Sequence, residues 1–99
     1  MRLTDSQRDV IRKLARRHFG VRAEVRVFGS RIDDRARGGD LDLFIETELS
    51  GNALQDAELA FLRELQDEMG EQRVDVTLHT RGEAMTGFEA YARREGIPL

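Results

Sequence analysis

The sequence predicts a small layered α/β (α+β) domain, a three-stranded sheet flanked by helices in the order α-β-α-β-α-β-α. Three observations predict it. Apolar residues recur at helical spacing in the longer stretches, whereas three shorter stretches alternate apolar and polar residues or run apolar. Glycine-containing turns separate them, as at Gly20, Gly38-Gly39, Gly51 and Gly70. The length of 99 residues fits a single domain over 1–99 with one modest core.

Residues 4–19 read as an amphipathic helix. Thr4 and Gln7 have the spacing of a capping box, and Gly20 supplies the stop. Val10, Ile11, Leu14, Ala15, His18 and Phe19 share one side, while Arg8, Arg12 and Arg16 line another that is read as a solvated face. His18 sits at the edge of the apolar side as a boundary residue. Residues 22–28 alternate as a half-buried strand. A short helix or turn over 30–36 follows, broken by Gly38-Gly39 before a strand at 41–46. Ser50-Gly51-Asn52 opens a helix over 53–69, with Leu54, Ala57, Phe61, Leu62, Leu65 and Met69 inward and Gly70 at its end. In the third strand, 73–79, Val74, Val76 and Leu78 share one face and Asp75, Thr77 and His79 the other. A last helix spans 82–95, with Met85, Phe88 and Ala92 inward, closed by Gly96 and Pro98.

The chemistry concentrates in Phe28-Gly29-Ser30, followed nine residues later by Asp40-Leu41-Asp42-Leu43, and in Val74-Asp75-Val76. Strand side chains alternate between faces, so Asp40 and Asp42 point the same way while Leu41 and Leu43 pack on the other side. Two carboxylates held about 4 Å apart repel by roughly 4 kcal/mol at an effective dielectric of ~20. A hard divalent cation removes that cost, and Mg²⁺ favours one or two carboxylates together with phosphate oxygens. Asp75 on a neighbouring strand completes a two-metal site. Gly29 lets backbone come close to a ligand, and Ser30 presents its hydroxyl and the following N–H groups to an anion. Arg31, Arg35 and Arg37 stand ready to screen a triphosphate. The phosphate loop of common ATPases is excluded, because it needs a Gly-Lys-Ser/Thr ending and the single lysine is Lys13.

This three-part pattern resembles the DNA polymerase β-type nucleotidyltransferase superfamily. The run Gly-Ser-Arg…Ala-Arg-Gly-Gly-Asp-Leu-Asp-Leu resembles its minimal nucleotidyltransferase branch, as in HEPN–MNT toxin–antitoxin pairs. The resemblance covers about residues 20–80. It implies a mixed sheet with all three acids at one edge of one face. It implies triphosphate binding by Gly29 and Ser30, with Arg31 and Arg37 as nucleotide contacts, and two Mg²⁺ ions on Asp40, Asp42 and Asp75, the last also activating the nucleophile. The implied reaction moves AMP from ATP to a hydroxyl, above all a tyrosine of a helical HEPN-type partner toxin, which gives the chain an antitoxin role. These 99 residues leave no room for the extra domain with which larger relatives hold their acceptors, so the resemblance implies that a partner supplies the acceptor.

Composition narrows the classes. Arginine and lysine number 16 against 19 acids, for a net charge of −3, so a general nucleic-acid binder is not expected. With no cysteine there is no disulfide or thiolate site, and the start lacks the apolar core of a signal peptide, which together favour a cytoplasmic protein without a membrane anchor. Three other functions stay open beside protein adenylylation: a nucleotide-binding module that neutralises its partner by contact, a degenerate or regulatory nucleotide sensor, and a nucleotidyltransferase for small, antibiotic-type alcohols. Self-association is also left open. His79, four residues past Asp75, reaches the rim of the site at most. Glu46 is read as a supporting or solvent residue, and Tyr91 as a core or boundary aromatic, with acceptance of a nucleotide in self-modification as its other reading.

Overall fold

The computed structural model describes residues 3–29, 40–70 and 72–99. Among them three helices and four strands follow in order: α1 (Asp5–Phe19), β1 (Glu24–Phe28), β2 (Leu41–Thr47), α2 (Gly51–Met69), β3 (Val74–Thr80), α3 (Gly87–Glu95) and β4 (Ile97–Pro98). The helix or turn expected over 30–36 lies outside the described residues, as do Ser30, Arg31, Arg35, Arg37 and Gly38-Gly39.

α1 begins where the sequence says it should. The Thr4 hydroxyl accepts from the Gln7 N–H at 3.0 Å, and the Gln7 side chain accepts from the Thr4 N–H at 2.9 Å. α3 carries the same device at Thr86 and Glu89, both bonds at 3.1 Å. The helix therefore starts at Gly87 rather than 82, and Thr86-x-x-Glu89 was its signal in the sequence.

The sheet is mixed and ordered β3-β2-β1-β4, with β2 and β3 parallel and β1 antiparallel to both its neighbours. It has four strands rather than three. Ile97 and Pro98 do not merely close the last helix; they pair with Val27 and Arg26, and the Leu99 N–H donates to the Val25 carbonyl at 3.0 Å. Proline is tolerated there because β4 is an edge strand.

One sheet face carries Val25, Val27, Leu41, Leu43 and Ile45 against α1 and α2, with Ile11, Leu14, Phe19, Phe61 and Leu65 filling the space between. Phe19 and Phe61 meet across the two helices at 5.3 Å. Each such side chain contributes roughly 1.5–3 kcal/mol on burial, so this layer fixes the sheet. His18 and Arg17 on α1 both reach Glu64 on α2, the His18 Nε2 at 2.7 Å.

The opposite face is divided by register into three rows. Phe28, Asp42 and Asp75 form the first, Arg26, Phe44 and Thr77 the second, Glu24, Glu46 and His79 the third. α3 lies on this face, where Ala92 and Met85 pack with Phe28 and Phe44. Phe88, expected inward, is 55% exposed.

Candidate functional site

The first row is where the predicted acids meet. β2 and β3 start side by side, so Asp42 and Asp75 are register partners one strand spacing apart, about 4.8 Å in a ladder. Asp40 precedes β2 on the same side of the chain as Asp42. β1 ends at this same edge, which brings Phe28 opposite Asp42 and delivers Gly29 to the acids.

Gly29 is required in two ways. Its φ is +79°, a conformation in which an L side chain is strained. A Cβ built there would overlap the Asp42 carboxylate and stand 3.2 Å from its Cγ. The backbone thus passes directly against the carboxylate.

Charge is unbalanced here. Burial pushes the Asp42 carboxyl above its ordinary range, and the neighbouring carboxylates of Asp75 and Asp40 push it further. Arg73 offsets part of this. Its Nε lies 3.4 Å from an Asp40 oxygen and 3.8 Å from an Asp75 oxygen, and its backbone carbonyl accepts from the Leu41 N–H at 3.0 Å. Sequence reasoning missed Arg73. The signal was an arginine two residues before Asp75, which strand alternation places beside it.

Residues at the far end of this face are not part of the acid cluster. His79 does not reach the rim; it pairs with Glu46 in the third row, and both are buried, at 8% and 7% exposure. His79 Nε2 donates to the Glu83 carbonyl at 2.9 Å, leaving Nδ1 turned to Glu46 at 3.5 Å. Arg26 and Arg93 also converge on Glu46, at 3.2 and 3.6 Å. Glu46 is therefore a buried carboxylate shared by three partners, not a solvent residue. Ser30, Arg31 and Arg37 lie outside the described residues.

No family model matches the chain, and no curated protein or solved structure matches it either.

A hard divalent cation suits the chemistry of the donor set. Three carboxylates face one edge, and the raised Asp42 carboxyl marks a place where one more positive charge lowers the energy. As the side chains lie, no three acidic or histidine groups among the described residues stand at metal-ligand spacing. Arg73 instead bridges Asp40 and Asp75. No helix among the described residues is long and apolar enough to cross a membrane.

Proposed function

We propose that the chain is a Mg²⁺-dependent nucleotidyltransferase that moves AMP from ATP to a hydroxyl, with a tyrosine of a helical HEPN-type partner as the acceptor. The observation that carries this reading is the close approach of Gly29 to Asp42 at an edge where Asp75 is Asp42's register partner. A strand end built for backbone contact, beside a carboxylate cluster in need of positive charge, suits a metal-bound triphosphate better than it suits a merely solvated edge.

In this reading the acceptor oxygen attacks the α-phosphorus in line, the bond to the pyrophosphate leaving group breaks, and Asp75 takes the acceptor's proton. Asp40, Asp42 and Asp75 would hold Mg²⁺, which supplies charge neutralisation to the entering and leaving oxygens. Gly29 keeps side-chain bulk away from the phosphates. Ser30, Arg31 and Arg37 follow Gly29 in the chain and are assigned the triphosphate by the motif.

A second reading is favoured by Arg73. A chain whose carboxylates are already bridged by its own cation could act by contact alone, neutralising a partner without transfer. Adenylylation of small alcohols is the third.

Intact-mass spectrometry separates them. The protein, Mg²⁺·ATP and a helical HEPN-type partner should yield a partner heavier by one or more AMP units, and Asp40→Asn should abolish the gain. An unmodified partner that is still neutralised would establish the contact reading. Efficient labelling of an aminoglycoside instead would establish the small-molecule one.

A further inference from the structure

Among the described residues four large apolar side chains are exposed, and two of them, Phe88 and Tyr91, are neighbours on α3. Their rings lie 6.2 Å apart with 39° between the planes. Tyr91 is 44% exposed, and the Arg94 guanidinium stands 5.9 Å from its ring centroid. Three residues at i, i+3 and i+6 thus form a stripe of two rings and a cation on the outside of the helix.

The stripe is tied to the acid edge. Phe88 meets Phe28 edge-on, with centroids 5.8 Å apart and planes at 71°. Phe28 is the cross-strand partner of Asp42. At the other end of α3, Arg93 reaches Glu46, and a Cβ on Gly96 would stand 2.9 Å from the Arg26 Cβ. The helix therefore runs from the acid edge towards the charged third row, and Phe88, near its start, is the aromatic residue tied to the edge where Asp42 lies. One cross-strand step of about 5 Å and one ring contact separate Asp42 from the Phe88 ring.

We propose that Phe88 and Tyr91 are the stacking shelf for the base of a purine nucleoside triphosphate whose phosphates lie at Gly29, Asp42 and Asp75. The inference rests on the nucleotidyltransferase reading and adds the base subsite to it. Three features favour a base over a second copy of the chain or a helical partner. Phe28, which touches the Phe88 ring and is the cross-strand partner of Asp42, ties the shelf to the acid edge. It is two rings wide, the size of a purine rather than of a protein interface. Arg94, whose guanidinium lies over the Tyr91 ring, adds cation–π character, which suits nucleobases. Stacking tolerates base identity, so ATP and GTP bind alike and pyrimidine triphosphates bind less well.

The chain has one tyrosine and no tryptophan, so its intrinsic fluorescence is that of Tyr91 alone. Titration with Mg²⁺·ATP, corrected for nucleotide absorbance, should quench it, whereas Mg²⁺·tripolyphosphate should bind by calorimetry and leave it unchanged. Phe88→Ser should weaken ATP by roughly tenfold and spare tripolyphosphate. Tyr91→Leu, read by calorimetry, should do the same and guards against a folding defect in the first variant. ATP bound with unaltered Tyr91 emission, or both ligands weakened equally, overturns the shelf while leaving the nucleotidyltransferase reading in place. Emission that changes with protein concentration without ligand assigns the rings to self-association and also overturns it. If neither ligand binds the wild-type chain, the function reading and the shelf fall together.

Discussion

Gly29 and Asp42 compete for one volume: the carboxylate of the second occupies the place a side chain on the first would need. The strand that ends at Phe28 and the strand that begins at Leu41 are thereby fitted to each other at the acid edge.

Gly29→Ala should lower stability by about 2–3 kcal/mol, from a left-handed backbone and an overlap that must be relieved. Adding Asp42→Ala should recover the overlap part and leave the backbone part. Urea unfolding of the two single variants and the double variant gives the coupling. Simple additivity would mean that the two residues do not meet.

The raised Asp42 carboxyl gives a pH dependence of defined sign. Well below its ordinary value of 3.8, Asp42 is protonated in both the folded and unfolded chains. As pH rises, the unfolded chain releases the proton first, so the folded chain binds more protons and loses stability through the window up to its raised value. Asp42→Asn removes this loss. In chelator, the variant should gain on wild type as pH climbs through that window, and excess Mg²⁺ should close the difference above it. Parallel stability–pH curves would place Asp42 in an ordinary solvated site.

Arg73 holds the position between Asp40 and Asp75 where a metal ion would be drawn. Because the pair is exposed, Arg73→Gln should cost under about 1 kcal/mol of stability. The same change should strengthen Mg²⁺ binding several-fold by removing a competing charge. Calorimetry without nucleotide tests this, and unchanged or weaker Mg²⁺ binding would show that Arg73 does not compete.

Glu46 is the common anion of Arg26, Arg93 and His79. Glu46→Ala should cost about 1–3 kcal/mol, because it leaves the half-buried Arg26 with only Glu24 at 3.9 Å and takes away the carboxylate facing the buried His79 ring, and Glu46→Gln should cost less. Chemical denaturation of both variants measures it. A loss below that of an ordinary surface substitution would mean that the network is dispensable.

Local signals made much of this structure legible in the sequence. The Thr4 capping box, the helical repeat of Phe61 and Leu65, and the alternation around Asp42 and Asp75 each act within a few residues. They placed α1, α2, β2 and β3 within about two residues. What escaped depends on partners distant in the chain. β4 exists because Val25 has a carbonyl to offer at the sheet edge, and nothing near Pro98 announces that. Phe88 was placed inward because helical spacing cannot tell a core from a shelf built on Phe28. Glu46 reads only as a supporting or solvent residue because its partners Arg26, His79 and Arg93 lie in β1, β3 and α3.

Pairing Asp42 with Asp75 on parallel strands ties the acid edge to chain length as well as to residue type. An insertion of one residue inside β3 would turn Asp75 under the sheet and lift Val76 out of the core. A slip of two would keep the faces but carry Asp75 nearly 7 Å along its strand, away from Asp42. Descendants of this chain can therefore lengthen or shorten at the turn between α2 and β3, where the extra backbone is absorbed before Val74, but not within the strand.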